Sequence, residues 1–154
     1  MMNRVLLLSI FLLSLFSCID RKSDLDPAEE IIQKWKQDYQ INDFSFLFVV
    51  PNAGCDGCIT SAEAFVVDNL SSIQNGRIIF TSFSSKKALK LKLGEDIYTH
   101  KKVFIDELNI FQSPSLQSFY PYILYMENDF IKSRQEVSPD SPQTLDSLLH
   151  FIYD

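Results

Sequence analysis

The chain has 154 residues, 46% hydrophobic and 13% aromatic, enough for one domain whose core needs no disulfide staples to fold. Its formal charge is −6; Arg4 is the only charged residue among the first seventeen, so the remainder carries 13 basic and 20 acidic residues, about −7. An acidic surface repels phosphate backbones, and no basic stripe interleaves with the aromatics, so nucleic acid is excluded as a partner.

Arg4 supplies a small positive region, and Val5 to Phe16 is a run of twelve mostly apolar residues. That length suits a secretory signal and falls short of the roughly 20 residues that span a bilayer. The run ends in Leu15-Phe16-Ser17-Cys18, which resembles the bacterial lipobox, with Phe16 bulkier than the usual residue at its place. The resemblance implies that Cys18 becomes the new N-terminus, carries a diacylglyceryl group and is acylated again. Two or more acyl chains anchor stably where one is marginal. An ordinary signal peptide cut nearby, with Cys18 an incidental thiol, is the alternative. The expected organisation is a signal peptide over 1–17, a tether over 18–26 and a domain over 27–154, membrane-anchored on the periplasmic or extracytoplasmic side. Cys55 and Cys58 then remain, in an oxidising compartment.

Ile19 to Leu25 is short and charged, as a tether should be. Asp26-Pro27 reads as an N-cap followed by Pro at the first helical position, with Glu29 and Glu30 in the first turn. Ile31, Trp35 and Tyr39 recur every four residues, predicting an amphipathic helix over Ala28 to Tyr39, with Trp35 packing it onto the rest of the fold. Phe44 to Val50 is nearly continuous in apolar, β-branched and aromatic residues, as a strand covered on both faces would be. Pro51 to Gly54 breaks that run, Cys55-Asp56-Gly57-Cys58 follows, and Ile59, Ala62, Val66, Leu70 and Ile73 keep helical spacing until Asn75-Gly76. Arg77 to Phe83 predicts a second strand, completing a βαβ unit.

Beyond it, Ser85 to Leu93 predicts a helix with Lys86, Lys87, Lys90 and Lys92 on its outer face, and Val103-Phe104-Ile105 is either a short strand or part of an insertion. Tyr122 to Met126 predicts a strand, Glu127-Asn128-Asp129 a three-residue turn, and Phe130 to Val137 an antiparallel partner. Ser138 to Pro142 reads as a loop; Leu145, Leu148, Leu149 and Ile152 mark a closing helix.

A Cys-x-x-Cys at a strand-to-helix junction has a definite chemistry. The first sulfur sits over unsatisfied backbone N–H groups and the positive end of the helix dipole, both of which stabilise a thiolate. The second, one turn on, is near enough to resolve a mixed disulfide. Cys55 is therefore the candidate nucleophile and Cys58 the resolving thiol. On Phe44 to Cys58 and Tyr120 to Ile131, the chain resembles thioredoxin-like proteins, above all membrane-anchored periplasmic thiol-disulfide oxidoreductases, over residues 44 to 152. The resemblance implies a three-layer α/β/α fold with a mixed central sheet and exported protein thiols or disulfides as partners. No organic cofactor is expected, because the cysteine pair itself carries the two electrons. It further implies a cis bond before Pro121, packed beside the cysteines, and pairing of the Tyr120 backbone with an extended substrate segment; a trans Pro at a strand start is the alternative.

Three features, at four positions, depart from that family's pattern. Gly54 stands where an aromatic is usual, Val49 where many members bury an acid, and Asp56-Gly57 is an unusual intervening pair. A carboxylate beside the sulfurs raises thiol pKa values, so a comparatively reducing couple is expected.

Other roles for the pair are weaker. A disulfide closing so small a loop stabilises little through chain entropy. Zinc usually takes four ligands where Cys55, Cys58 and His100 offer three, which leaves a copper or zinc carrier as the third choice. A non-enzymatic thioredoxin-fold binding lipoprotein is the main rival. His100, among Tyr98 to Lys102, reads as a surface histidine, His150 as structural, and Glu63 as exposed.

Overall fold

A computed structural model describes residues 26–41 and 44–154; the expectations about the signal segment, Cys18 and most of the tether lie outside the described residues. In chain order the elements are α1 (Pro27–Asp38), β1 (Phe46–Pro51), α2 (Asp56–Asn69), β2 (Gly76–Thr81), α3 (Lys86–Leu93), α4 (Glu95–Tyr98) and β3 (Val103–Ile105). A 3-10 turn (Ile110–Gln112), β4 (Tyr122–Glu127), β5 (Phe130–Glu136) and α5 (Thr144–Tyr153) complete them.

The five strands form one mixed sheet in the order β3-β2-β1-β4-β5. β1 runs parallel to β2, with Val49 opposite Ile79, and antiparallel to β4, with Phe48 opposite Ile123. β1 is thus the central strand, and all six of its residues are buried. Its side chains alternate as the two-residue period of a strand demands. Phe46, Phe48 and Val50 join Ile59, Ala62 and Val66 of α2, Leu89 and Leu93 of α3, and Leu148 of α5 in one core. Leu47 and Val49 join Ala28, Ile32 and Trp35 of α1 with Phe111 and Leu116 in the other. Each fully buried side chain of this kind contributes about 1.5–3 kcal/mol relative to exposure, so helices must cover both faces. The result is a three-layer α/β/α sandwich, the thioredoxin-like arrangement expected of the sequence. Trp35, 2% exposed, meets Phe44, Phe104 and Phe111 edge-on at centroid distances of 6.0, 5.1 and 5.6 Å, fastening α1 to the sheet.

Val103-Phe104-Ile105 is a true edge strand, parallel to β2 with Phe104 opposite Ile79. The β4–β5 hairpin is tighter than the predicted three-residue turn. Glu127 pairs with Phe130, and Asn128 and Asp129 both take positive φ, 51° and 71°, the signature of a two-residue type I′ turn that short polar side chains tolerate. Among the described residues no helix is long and apolar enough to cross a membrane.

Candidate functional site

The sequence Pro51 to Gly54 ends β1 and delivers Cys55 to the N-cap of α2, in extended conformation, φ −74° and ψ 100°. Ile59 N donates to Cys55 O at 2.9 Å as the helix begins. Geometry leaves the N–H groups of a helix's first turn without intrahelical acceptors, and no side chain caps these. They and the helix dipole favour negative charge where the Cys55 sulfur resides. One turn on, Cys58 is only 8% exposed, whereas Cys55 is half-buried and reachable. The two are disulfide-bonded, with Cα atoms 5.3 Å apart. The accessible member therefore occupies the helix start and the shielded one sits behind it, the asymmetry that nucleophile and resolving thiol require.

Two clefts flank the pair. One, about 430 Å³, is lined by both cysteines, Ser61, Val137 and Pro139 from the loop that leads into α5, and Leu145 of α5 itself. The other, about 540 Å³, is lined by Ala53, Gly54, Ser82, Gln112, Gln117 and Phe119. An apolar hollow of about 240 Å³ between α1 and β3, lined by Trp35, Tyr39, Phe104 and Leu108, belongs to the opposite face of the sheet from α2.

Segments distant in sequence build the second cleft. Cys55 N donates to Phe119 O at 3.1 Å. Gly54 makes that approach possible: its φ is +141°, and a Cβ there would lie 2.1 Å from Phe119 O. The Phe119 loop is held from behind. Ser118 Oγ donates to Glu136 Oε1 at 2.8 Å and accepts from Tyr120 N at 3.0 Å, and Arg134, paired with Glu136, donates to Gln117 O at 3.2 Å. Upstream, the buried Asp106 carboxylate accepts from Thr81 Oγ1 at 2.8 Å and from Ile110 N and Phe111 N at 2.9 Å each, tying the end of β2 to the 3-10 turn.

Two expectations are corrected here. No peptide bond among the described residues is cis, so the Tyr120–Pro121 bond is trans. The trans form is intrinsically favoured by about 0.5–1 kcal/mol, and the surrounding bonds are satisfied with it: Pro121 O accepts from Val137 N at 2.7 Å, while Phe119 rather than Tyr120 turns its carbonyl to Cys55. Pro121 is buried, Tyr120 half-buried, and neither lines the two clefts. Glu63, expected to be exposed, is 6% exposed, because Lys92 of α3 closes over it in an ion pair of 2.6 Å. One turn from a residue's neighbours on a helix says nothing of which other helix will pack there.

Val49, at the position of the missing acid, is fully buried among apolar residues. Asp56 is exposed at the first position of α2. Among the described residues no group of three or more His, Cys, Asp or Glu side chains could hold a metal ion, so His100 is not brought to the cysteines. His100 is half-buried, its Nδ1 accepts from Lys102 N at 3.2 Å, and desolvation, then Lys102 and Lys101, hold its pKa below the ordinary value. His150, read as structural, is exposed on α5. The lysines of α3 form a solvated face, with Lys86 and Lys90 paired to Glu107 and Glu95.

Fold and site together define a three-layer α/β/α protein with a cysteine pair at the N-terminus of its central helix. Comparison with protein-family models, curated proteins and solved structures finds no match for the chain.

Proposed function

We propose that the chain is a thiol-disulfide oxidoreductase of the thioredoxin-like kind, lipid-anchored through Cys18 and exchanging electrons with exported proteins. The observation that carries the reading is the position of Cys55, an accessible sulfur at an uncapped helix start with a shielded Cys58 one turn behind. In the reducing direction the Cys55 thiolate attacks one sulfur of a substrate disulfide, forming a mixed disulfide and expelling the other sulfur as a thiolate. The Cys58 thiolate then attacks Cys55, releases the second substrate thiolate and leaves Cys55–Cys58 oxidised. Two electrons have passed to the substrate, and an external dithiol restores the pair. Asp56, exposed and next to Cys55 in sequence, disfavours the thiolate-rich reduced form on this reading, which makes the couple comparatively reducing.

The test is insulin reduction driven by a dithiol donor. Turnover by the unmutated chain, its abolition in Cys55→Ser, and a trapped mixed disulfide in Cys58→Ser are expected. Absence of turnover in the unmutated chain would leave a non-enzymatic binding lipoprotein instead. Anchoring is tested separately: Cys18→Ser should move the protein from the membrane fraction to the soluble extracytoplasmic one.

A further inference from the structure

We propose that Gly54 is a positioning residue for the nucleophile: by admitting the Phe119 carbonyl to the Cys55 amide, it fixes the residue at which α2 begins and so turns the Cys55 sulfur to the donors of the first helical turn. The proposal rests on the thiol-exchange reading above.

Both backbone groups of Cys55 are engaged. Its N–H donates to Phe119 O at 3.1 Å, and its carbonyl accepts from Ile59 N at 2.9 Å. Those bonds hold Cys55 in the extended conformation of an N-cap, φ −74° and ψ 100°. From an N-cap, a side-chain acceptor can reach the second and third N–H groups of the helix, here those of Gly57 and Cys58. A free Cys55 amide would let the helix begin one residue earlier, with Cys55 helical and its sulfur out of that position. The Phe119 bond prevents this from outside the helix. The turn ahead of it is anchored separately, by Asn52 N donating to Thr81 O at 2.8 Å.

Only glycine is compatible with this clamp. Gly54 has φ +141°, and a Cβ there would overlap the Phe119 carbonyl oxygen and lie 2.9 Å from its carbon. The obstacle is backbone, and its loop is held by the Ser118–Glu136 and Arg134–Gln117 bonds, so it cannot swing aside as a long side chain would. Gly94 supplies the contrast: its φ is also positive, +82°, yet a Cβ there meets nothing within 4 Å.

The test is the pH profile of the first exchange step in the pre-reduced full chain carrying Cys58→Ser. The Cys55 thiolate attacks bis(2-hydroxyethyl) disulfide; one S–S bond breaks, the Cys55 mixed disulfide forms, and 2-mercaptoethanol leaves as its thiolate. The rate at Cys55 is read by peptide mass spectrometry from about pH 4 to about pH 10. Gly54→Ala should raise the midpoint of the profile by about one unit, the size of a helix-start interaction. A more basic thiolate is also more nucleophilic, with a Brønsted coefficient of about 0.4–0.5. The variant should therefore be about threefold slower at the acid end and about threefold faster at the alkaline end. Gly94→Ala, strained in φ but free of any clash, should give the parent profile. Ser118→Ala loosens the loop without touching Gly54 and should raise the midpoint by less than Gly54→Ala does; it decides the matter if Gly54→Ala does not fold. An unmoved midpoint, or one uniform loss of rate at every pH, overturns the proposal and leaves thiol exchange standing. A parent midpoint at the ordinary thiol value of about 8.5 would mean that the helix start does not activate the sulfur, and the thiol-exchange reading would fall with the proposal.

Discussion

The molecule starts two of its helices in opposite ways. At α1 the backbone donors are closed off: Asp26 accepts from Ala28 N at 2.8 Å, Glu29 reaches back to Asp26 N, and Pro27 needs no acceptor at all. At α2 the cap is Cys55, which makes no side-chain cap bond to the first-turn donors. One end is finished for stability. The other forgoes a cap worth about 0.5–2 kcal/mol and retains an electropositive opening.

Activity gives the sharpest contrast. Cys55→Ser should lower disulfide reduction by at least about a thousandfold, because a hydroxyl is not ionised where a thiolate is, whereas Asp26→Ala should leave the rate within about twofold. Comparable losses in the two variants would erase the distinction between the ends. Stability should reverse the order. Removing the capping box with Asp26→Ala should cost about 1–2 kcal/mol in urea unfolding. Under reducing conditions, where neither variant can form the disulfide, Cys55→Ser should be more stable than Cys55→Ala by about 1 kcal/mol, since serine caps the helix that cysteine leaves open. Equal stabilities would mean that the opening of α2 is already satisfied.

A still smaller effect sets the acid baseline for such measurements. The pKa of His100 in the fold lies below its unfolded value near 6.5, so the folded state binds the proton less readily. Its stabilising contribution is complete above pH 6.5 and declines as pH falls from there toward the folded pKa. His100→Gln should flatten the acid side of a stability–pH curve slightly and equally for variants at either helix start. An unchanged curve would show that the site does not titrate differently on folding.

Much of this could be read before any coordinates. The Asp26-Pro27 start, the doubly buried strand around Phe48, the Cys55–Cys58 junction and the closing helix all rest on interactions within a few residues or on a repeat of two or 3.6. The stretch from Ser84 to Asn109 was the hardest to read. Its strand, Val103–Ile105, is only three residues long and depends for its existence on pairing with β2. At the site, the cysteine pair at a strand-to-helix junction was legible, but the approach of Phe119 to it was not. Nothing in Ser118-Phe119-Tyr120 signals that its carbonyl will meet a residue sixty-four positions earlier.

By itself, then, the sequence determined the elements, the two-faced burial of the central strand and the presence of a thiol at a helix start, because each follows from local periodicity and local hydrogen-bonding. Tertiary structure alone decided that Pro121 is trans, that Lys92 covers Glu63, that Gly54 adopts a positive φ and that Phe119 stands next to Cys55. Those outcomes depend on which distant segments share a boundary of the packed sheet, a competition among non-local contacts that no short window of residues contains.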